Sequence, residues 1–312
     1  MQEAKVRPKE SWIKGKRINS AKKKAAIKKQ VEKIIRREIK YISSFFPYNV
    51  EKFHNSSLLY FHSIFLMEDY QEYCLDERIK VSGGDYPGIR DMDPDPGDMD
   101  RKVMNLIVGL ELLSAGTAFH DFKVSGTSLY SGESLKKIEK EYILDLLFGD
   151  IFYSRAVIYL LRYGDHGVFD RILTSLKELH ESKLRLHRKI GDLIKADSDP
   201  SDLDSDKDLL INANRLLDAS LDISFNMFCK NKGTPGKKKY SCITMKIVLL
   251  KTYDELLRYL KSLKGMPSTE KISSYLASKK NFTVKRLSDI ISELDSGKSN
   301  SSLKALVDSL DI

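Results

Sequence analysis

Cysteine is scarce in this chain. Three are present in 312 residues, Cys74, Cys229 and Cys242, far apart and without CxxC spacing. That speaks against a disulfide framework and a thiolate-built metal site, and a reducing, cytoplasmic setting is expected. Long hydrophobic runs are also missing. The longest, Val103 to Phe119, is interrupted by Asn105 and Glu111, so a membrane span is not expected. The lysine-rich start has no apolar segment, so no secretory signal is expected either. Apolar and polar residues do not alternate with a period of two, and no repeat of about 30–50 residues is visible. The chain has no HExxH, GxSxG, P-loop or GxGxxG. "SGGDYPG" is glycine-rich but leads into acids rather than a helix start, which makes a poor phosphate cradle. Nor is there a single Asp-Asp dipeptide.

What is present reads as a globular helical protein. Hydrophobic residues make up 41% and charged residues 31%, enough for a core and too apolar for disorder. The net charge of +9 is unevenly spread. Residues 1–40 carry 15 Lys/Arg against 4 Asp/Glu, a balance of +11; the remainder carries 38 against 40, a balance of −2. The segment "KGKRINSAKKKAAIKKQVEKIIRREIKYI" reads as a frayed basic arm entering an amphipathic helix, with Ile27, Val31, Ile34, Ile35 and Ile39 as its apolar stripe. Such an arm suits a solvated face or a dock for anionic lipid. Nucleic acid is not expected, because no aromatics interleave with the lysines to stack on bases.

Helical spacing continues through "SSLLYFHSIFLMEDYQEYCLDE", where Ser56 or Ser57 suits an N-cap. It resumes at Arg101–Phe119, near Ser134–Arg162 and at Phe169–Lys195. The residues 80–100, with four glycines, three prolines and many aspartates, read as an acidic loop. A second polar loop, "KADSDPSDLDSDKD", precedes "LLINANRLLDASLDISFNMF" and then "ITMKIVLLKTYDELLRYLKSL". The last 45 or so residues suggest three short helices capped by Ser268, Thr283 and Ser301 or Ser302. The expected class is all-α, one large bundle of about ten helices. Residues 1–40 would form the arm and first helix, 41–264 the bundle, and 265–312 its closing helices.

Few residues offer chemistry. The aspartate clusters lack EF-hand spacing and read as solvated acids. His62 and His120 lie on apolar helices, where a hydrogen-bonded core histidine is the ordinary outcome. His180 and His187 share a helix face, but no further ligand completes a metal set. The stretch "GTAFHDF" is more informative, because it ends an apolar helix in a single carboxylate.

"LIVGLELLSAGTAFHDF" followed by "LDLLFGDIFYSRAVIYLL" resembles the trans-prenyl diphosphate synthase family. There, an "E-L…HDDxxD" helix carries the first aspartate-rich motif, and a "GD-[YF]-x-[FYL]-[SA]-x-A" helix packs against it. Glu111, Leu112, His120 and Asp121 match the first element; Gly149, Asp150, Ser154 and Ala156 match the second. In the family these carboxylates hold Mg²⁺ against a leaving diphosphate, with hard oxygen ligands. Here Phe122 and Ser125 stand in the later carboxylate positions, leaving His120, Asp121, Phe122 and Ser125 as a degenerate motif. No second motif exists, and the family's "GGKRxRP" element is not seen.

That pattern is similar to the small, non-catalytic subunit (component I) of heteromeric long-chain synthases of the heptaprenyl and hexaprenyl type. "LLYFHSIFLMEDY" and "LKELHESKLRLHRK" carry the likeness. The resemblance implies an isoprenoid-synthase helical bundle with no catalytic residue and no cofactor of its own. Mg²⁺ would belong to a DDxxD-bearing catalytic partner. It also implies a subunit face that includes Gly149, Asp150, Ser154, Arg155 and Ile158. Two alternatives stay open: a self-sufficient degenerate prenyltransferase in which Lys123 helps hold a diphosphate, and a helical scaffold using the basic arm on nucleic acid.

Overall fold

A computed structural model describes residues 8–44, 58–68, 70, 96–120, 133–228, 237–263, 267–295 and 301–308, and every regular element among them is helical. The fold is all-α. Ten α-helices follow one another among the described residues: α1 (Pro8–Ser43), α2 (59–68), α3 (Pro96–His120), α4 (Glu133–Tyr163), α5 (His166–Ala196), α6 (Lys207–Asn212), α7 (Arg215–Phe228), α8 (Lys237–Ser262), α9 (Pro267–Asp295) and α10 (Ser301–Asp308). A 3₁₀ turn, Pro200–Asp206, stands between α5 and α6.

The centre of the bundle is the α3–α4 pair. Gly109 faces Leu160, Gly116 faces Tyr153, and Gly149 faces His120. Residue number rises on one helix as it falls on the other, so the two run antiparallel. The glycines let the backbones approach closely: a Cβ on Gly116 would lie 2.5 Å from the Tyr153 ring. By length and composition α3 could cross a membrane. Its apolar surface is core instead, with Leu106, Ile107, Val108, Leu110, Leu112 and Leu113 all buried.

Around this pair the chain builds two apolar cores. The larger one joins α1 through Ile27, Val31, Ile35 and Ile39 to α2, α3, α4, α7 and the first half of α8. The smaller one joins the end of α5 (Leu186, Ile190, Leu193) to Leu203, Leu210, the second half of α8 and Ile272 and Leu276 of α9. Later residues of the tail, Leu287, Leu303 and Leu306, return to the larger core.

Several boundaries differ from the sequence reading, each for a local reason. The basic arm is not frayed from its start: α1 is helical from Pro8 onward. The acidic loop ends earlier, because residues 96–100 already form the first turn of α3; residues 80–95 lie outside the described residues. α5 begins three residues before Phe169, because the Asp165 side chain accepts a hydrogen bond from Val168 N at 3.0 Å. The polar loop after α5 contains the 3₁₀ turn, capped by Asp199 accepting from Ser201 N at 3.0 Å. Among the described residues the tail holds two helices, not three. Thr283 lies inside α9, where its hydroxyl donates to the Lys279 carbonyl at 2.8 Å instead of capping a new helix.

The Asp165 cap gives a direct test. Asp165→Ala should cost ~1 kcal/mol, read as a shift in the midpoint of urea denaturation. Asp165→Asn should retain most of that stability.

Candidate functional site

The two cores meet at the half-buried Ile211, which packs on both. Between them lies a belt of polar side chains, each placed by a helix that passes from one core to the other. On α5, Lys183 stands between Leu179 of the larger core and Leu186 of the smaller. On α8, Lys251, Thr252 and Glu255 follow Leu250 of the larger core and interleave with Tyr253 and Leu256 of the smaller. Asn214, in the short bend before α7, stands between Ala213 and Leu216 of the two cores.

Glu255 is the hub. Its carboxylate lies 3.3 Å from Lys183 Nζ and 3.4 Å from Lys251 Nζ, and it accepts a hydrogen bond from Asn214 Nδ2 at 3.1 Å. Asn214 also donates to Thr252 Oγ1 at 3.0 Å. Burial pushes the Glu255 carboxyl upward, but the two lysines and Asn214 outweigh it and hold it down at about 2. Burial is the strongest single influence on Glu255, yet 28% of its side chain is open to solvent.

Glu111 enters the same region from α3. Its Oε1 accepts from Tyr60 N at 2.8 Å and Phe61 N at 3.2 Å. A side chain from the middle of one helix thus caps the start of α2, satisfying backbone donors that have no partner within their own helix. Leu58, just before that helix, has φ of 50°, the left-handed region, where a leucine is uncommon. Burial raises Glu111 to about 7; the two backbone donors and Lys251 hold it from rising further. Burial and the nearby Glu111 carboxylate push the Tyr60 phenol well above its ordinary value.

The belt carries two cations, one firm anion and one acid that titrates near neutrality. Its net charge is therefore about +1 when Glu111 is protonated and zero when it is ionised. A buried acid with a shifted titration near lysines is a feature often found at functional sites.

A second cluster stands about 13 Å along α3, nine residues on from Glu111. His120 stacks on Tyr153 with centroids 4.8 Å apart, and Tyr153 Oη is 2.8 Å from His180 Nε2. His120 Nε2 is 3.4 Å from Asp150 Oδ1. The His120 ring fits because residue 149 is glycine; a Cβ there would lie 2.5 Å from its Nε2. His187 does not join His180: it stacks on Tyr259 at 4.2 Å. Among the described residues no three His, Cys, Asp or Glu side chains could hold a metal ion.

The structure separates the residues singled out from sequence. Asp121, Phe122, Lys123 and Ser125 lie outside the described residues. Gly149 is buried beneath His120, inside the chain. Arg155 turns to α1, donating to Glu38 at 2.7 Å and covering the Tyr41 ring. Asp150, Ser154 and Ile158 do face outward. The belt residues Asn214, Lys251 and Glu255 were missed, since in an amphipathic helix they read as an ordinary solvated face. Only Glu111, a lone acid inside an apolar run, gave a signal. No family model, curated protein or solved structure matches the chain.

Proposed function

We propose that this chain is the non-catalytic subunit of a heteromeric all-trans polyprenyl diphosphate synthase. In this reading the DDxxD-bearing partner supplies Mg²⁺ and the chemistry, while this chain covers the partner's subunit face and completes the wall of its elongation cavity. The observation that carries the reading is an apolar ridge on α4. Ile143, Leu147, Ile158 and Leu161 are 54%, 47%, 37% and 51% exposed. With Asp150 and Ser154 they fall within an arc of about 80° along about 27 Å of helix. Large apolar side chains in a line are costly to leave in water, and a helix face of this length suits a standard protein interface. Leu173 and Leu184 on α5 are exposed as well. The ridge shares α4 with the "GD…SRA" element on which the resemblance rests.

The test is co-expression with a DDxxD synthase. The chain should co-purify with it, raise its long-chain product yield and give no product alone. Ile158→Asp should abolish co-purification while leaving the isolated chain folded. Retention of the complex by that variant would overturn the reading.

A second reading rests on the two lysines that meet at Glu255: this chain itself holds an anionic ligand between Lys183 and Lys251. Calorimetric titration with inorganic diphosphate, with and without Mg²⁺, separates the two. Binding by the isolated chain that is lost in Lys183→Gln supports the second.

A further inference from the structure

Helix α1 is divided lengthwise by chemistry. Ile27, Val31, Ile35, Ile39 and Ile42 anchor one side in the larger core. On the opposite side Lys22, Lys29, Lys33, Arg36 and Lys40 are all exposed. At 100° per residue these five fall within an arc of about 60°, along about 27 Å of helix. Their neighbours off this line are paired: Lys23 with Asp100 at 2.7 Å, Lys24 with Glu68 at 3.1 Å, and Arg37 with Glu38 of the same helix at 3.6 Å and with Tyr159 at 3.3 Å. Among the described residues the five on the line have no ion-pair or hydrogen-bond partner of their side chains. Of the two acids in this stretch, Glu38 is buried on the core side and Glu32 is half-buried at the edge.

We infer that this cationic ridge docks the protein on an anionic lipid bilayer, with α1 lying parallel to the membrane plane. The shape of the ridge selects the partner. A rigid convex helix meets a plane along a line, so all five cations reach a headgroup layer at once. A nucleic-acid duplex presents its phosphates along a helical path and would meet a straight ridge at only a few points. The ridge carries no aromatic side chain to stack on bases, as single-strand binding wants. Four of the five cations are lysines, compact point charges suited to a diffuse negative surface; arginine forks suit individual phosphates better. Ala25, Ala26, Gln30 and Arg37 are exposed at the ridge's flanks, so no large apolar side chain holds the lysines off the surface there. This inference rests on α1 alone and does not depend on the proposed synthase partner.

The experiment is co-sedimentation of the full chain with phosphatidylcholine vesicles, with and without phosphatidylserine, at low and at ~0.15 M salt. Binding should require phosphatidylserine and weaken with salt. Each cation removed from the ridge should lower the partition coefficient about fivefold, so Lys29→Gln with Lys33→Gln should lower it about 25-fold. Lys23→Gln with Lys24→Gln removes the same charge from the paired flank and should lower it far less. Lys23, Lys29 and Lys33 are exposed and Lys24 is 15% exposed, and circular dichroism checks that both double variants are folded. Equal losses in the two double variants would overturn the ridge in favour of net charge. So would equal binding to vesicles of phosphatidylcholine alone, or capture of duplex DNA in place of the vesicles.

Discussion

Arg155→Glu should destabilise the isolated chain by about 3 kcal/mol or more, whatever it does to partner binding. Glu38 is 2% exposed and sits on the inner side of α1. Its carboxylate accepts from Arg155 Nε at 2.7 Å and from Tyr159 Oη at 2.6 Å. Burial alone would raise the Glu38 carboxyl, but the bonds from Arg155 and Tyr159 outweigh it and leave it below its ordinary value. Reversing Arg155 would place a second carboxylate against one that cannot reach water. Glu38 and Arg155 also tie α1 to α4 across 117 positions of sequence, so the loss would loosen the first helix. The measurement is urea denaturation at neutral pH, with Ile158→Asp as the comparison. Ile158 is less than one turn away and exposed, so that variant should stay within ~0.5 kcal/mol of the parent. The pair therefore separates stability from interface. Because the folded value of Glu38 is depressed, its contribution is present above the unfolded value of about 4.5 and is lost as pH falls through the folded one. The difference between Arg155→Glu and the parent should shrink accordingly in acid. A variant as stable as the parent at neutral pH would remove the Glu38 pair from the account of the fold.

The parts of this molecule that could be read in its sequence are those governed by local periodicity. The isoleucine stripe of α1 and the long apolar α3 follow from residues three and four apart, and the structure buries both. Gly149 of α4 lies under His120 of α3. Caps were read less well, because one aspartate decides the boundary. Asp165 moves the start of α5, and Thr283 turns its hydroxyl back along its own helix instead of capping a new one. Pairings across the bundle left no local trace at all. Glu38 looked like one acid within a basic arm, and its partners come from α4. Lys251 and Glu255 are four apart on α8, but only the fold brings Lys183 and Asn214 to the same carboxylate. The resemblance placed Arg155 on a subunit face with Asp150, Ser154 and Ile158; those three face outward, while Arg155 turns to Glu38. One helical position decided the difference.

Glu111→Gln should remove most of the pH dependence of stability between about pH 5 and 7.5. The folded value of Glu111 is about 7, above the ordinary 4.5. Between these values the folded protein holds a proton that the unfolded chain has released. Stability from this group is therefore full below about pH 4.5 and falls as pH rises through about 7, by at most about 3 kcal/mol. The other shifted acids do not imitate this. Glu255, held at about 2, and Glu38, held below its ordinary value, contribute slopes of opposite sign that are complete before pH 5. Asp218 is raised by burial, in the same direction as Glu111, so a residual slope should survive in the variant. The Gln carbonyl can still accept from Tyr60 N and Phe61 N, so the cap on α2 is kept while the buried charge is removed. The variant should match the parent near pH 5 and exceed it near pH 8. Glu111→Ala differs in kind: it leaves two buried backbone donors without their acceptor and opens a gap, and should be less stable than the parent throughout. Denaturant midpoints for the three proteins at pH 5, 6, 7 and 8 check this. If Glu111→Gln kept the parent's slope, the acid at the centre of the belt would be ionised throughout, and the belt's change of net charge near neutrality would be wrong.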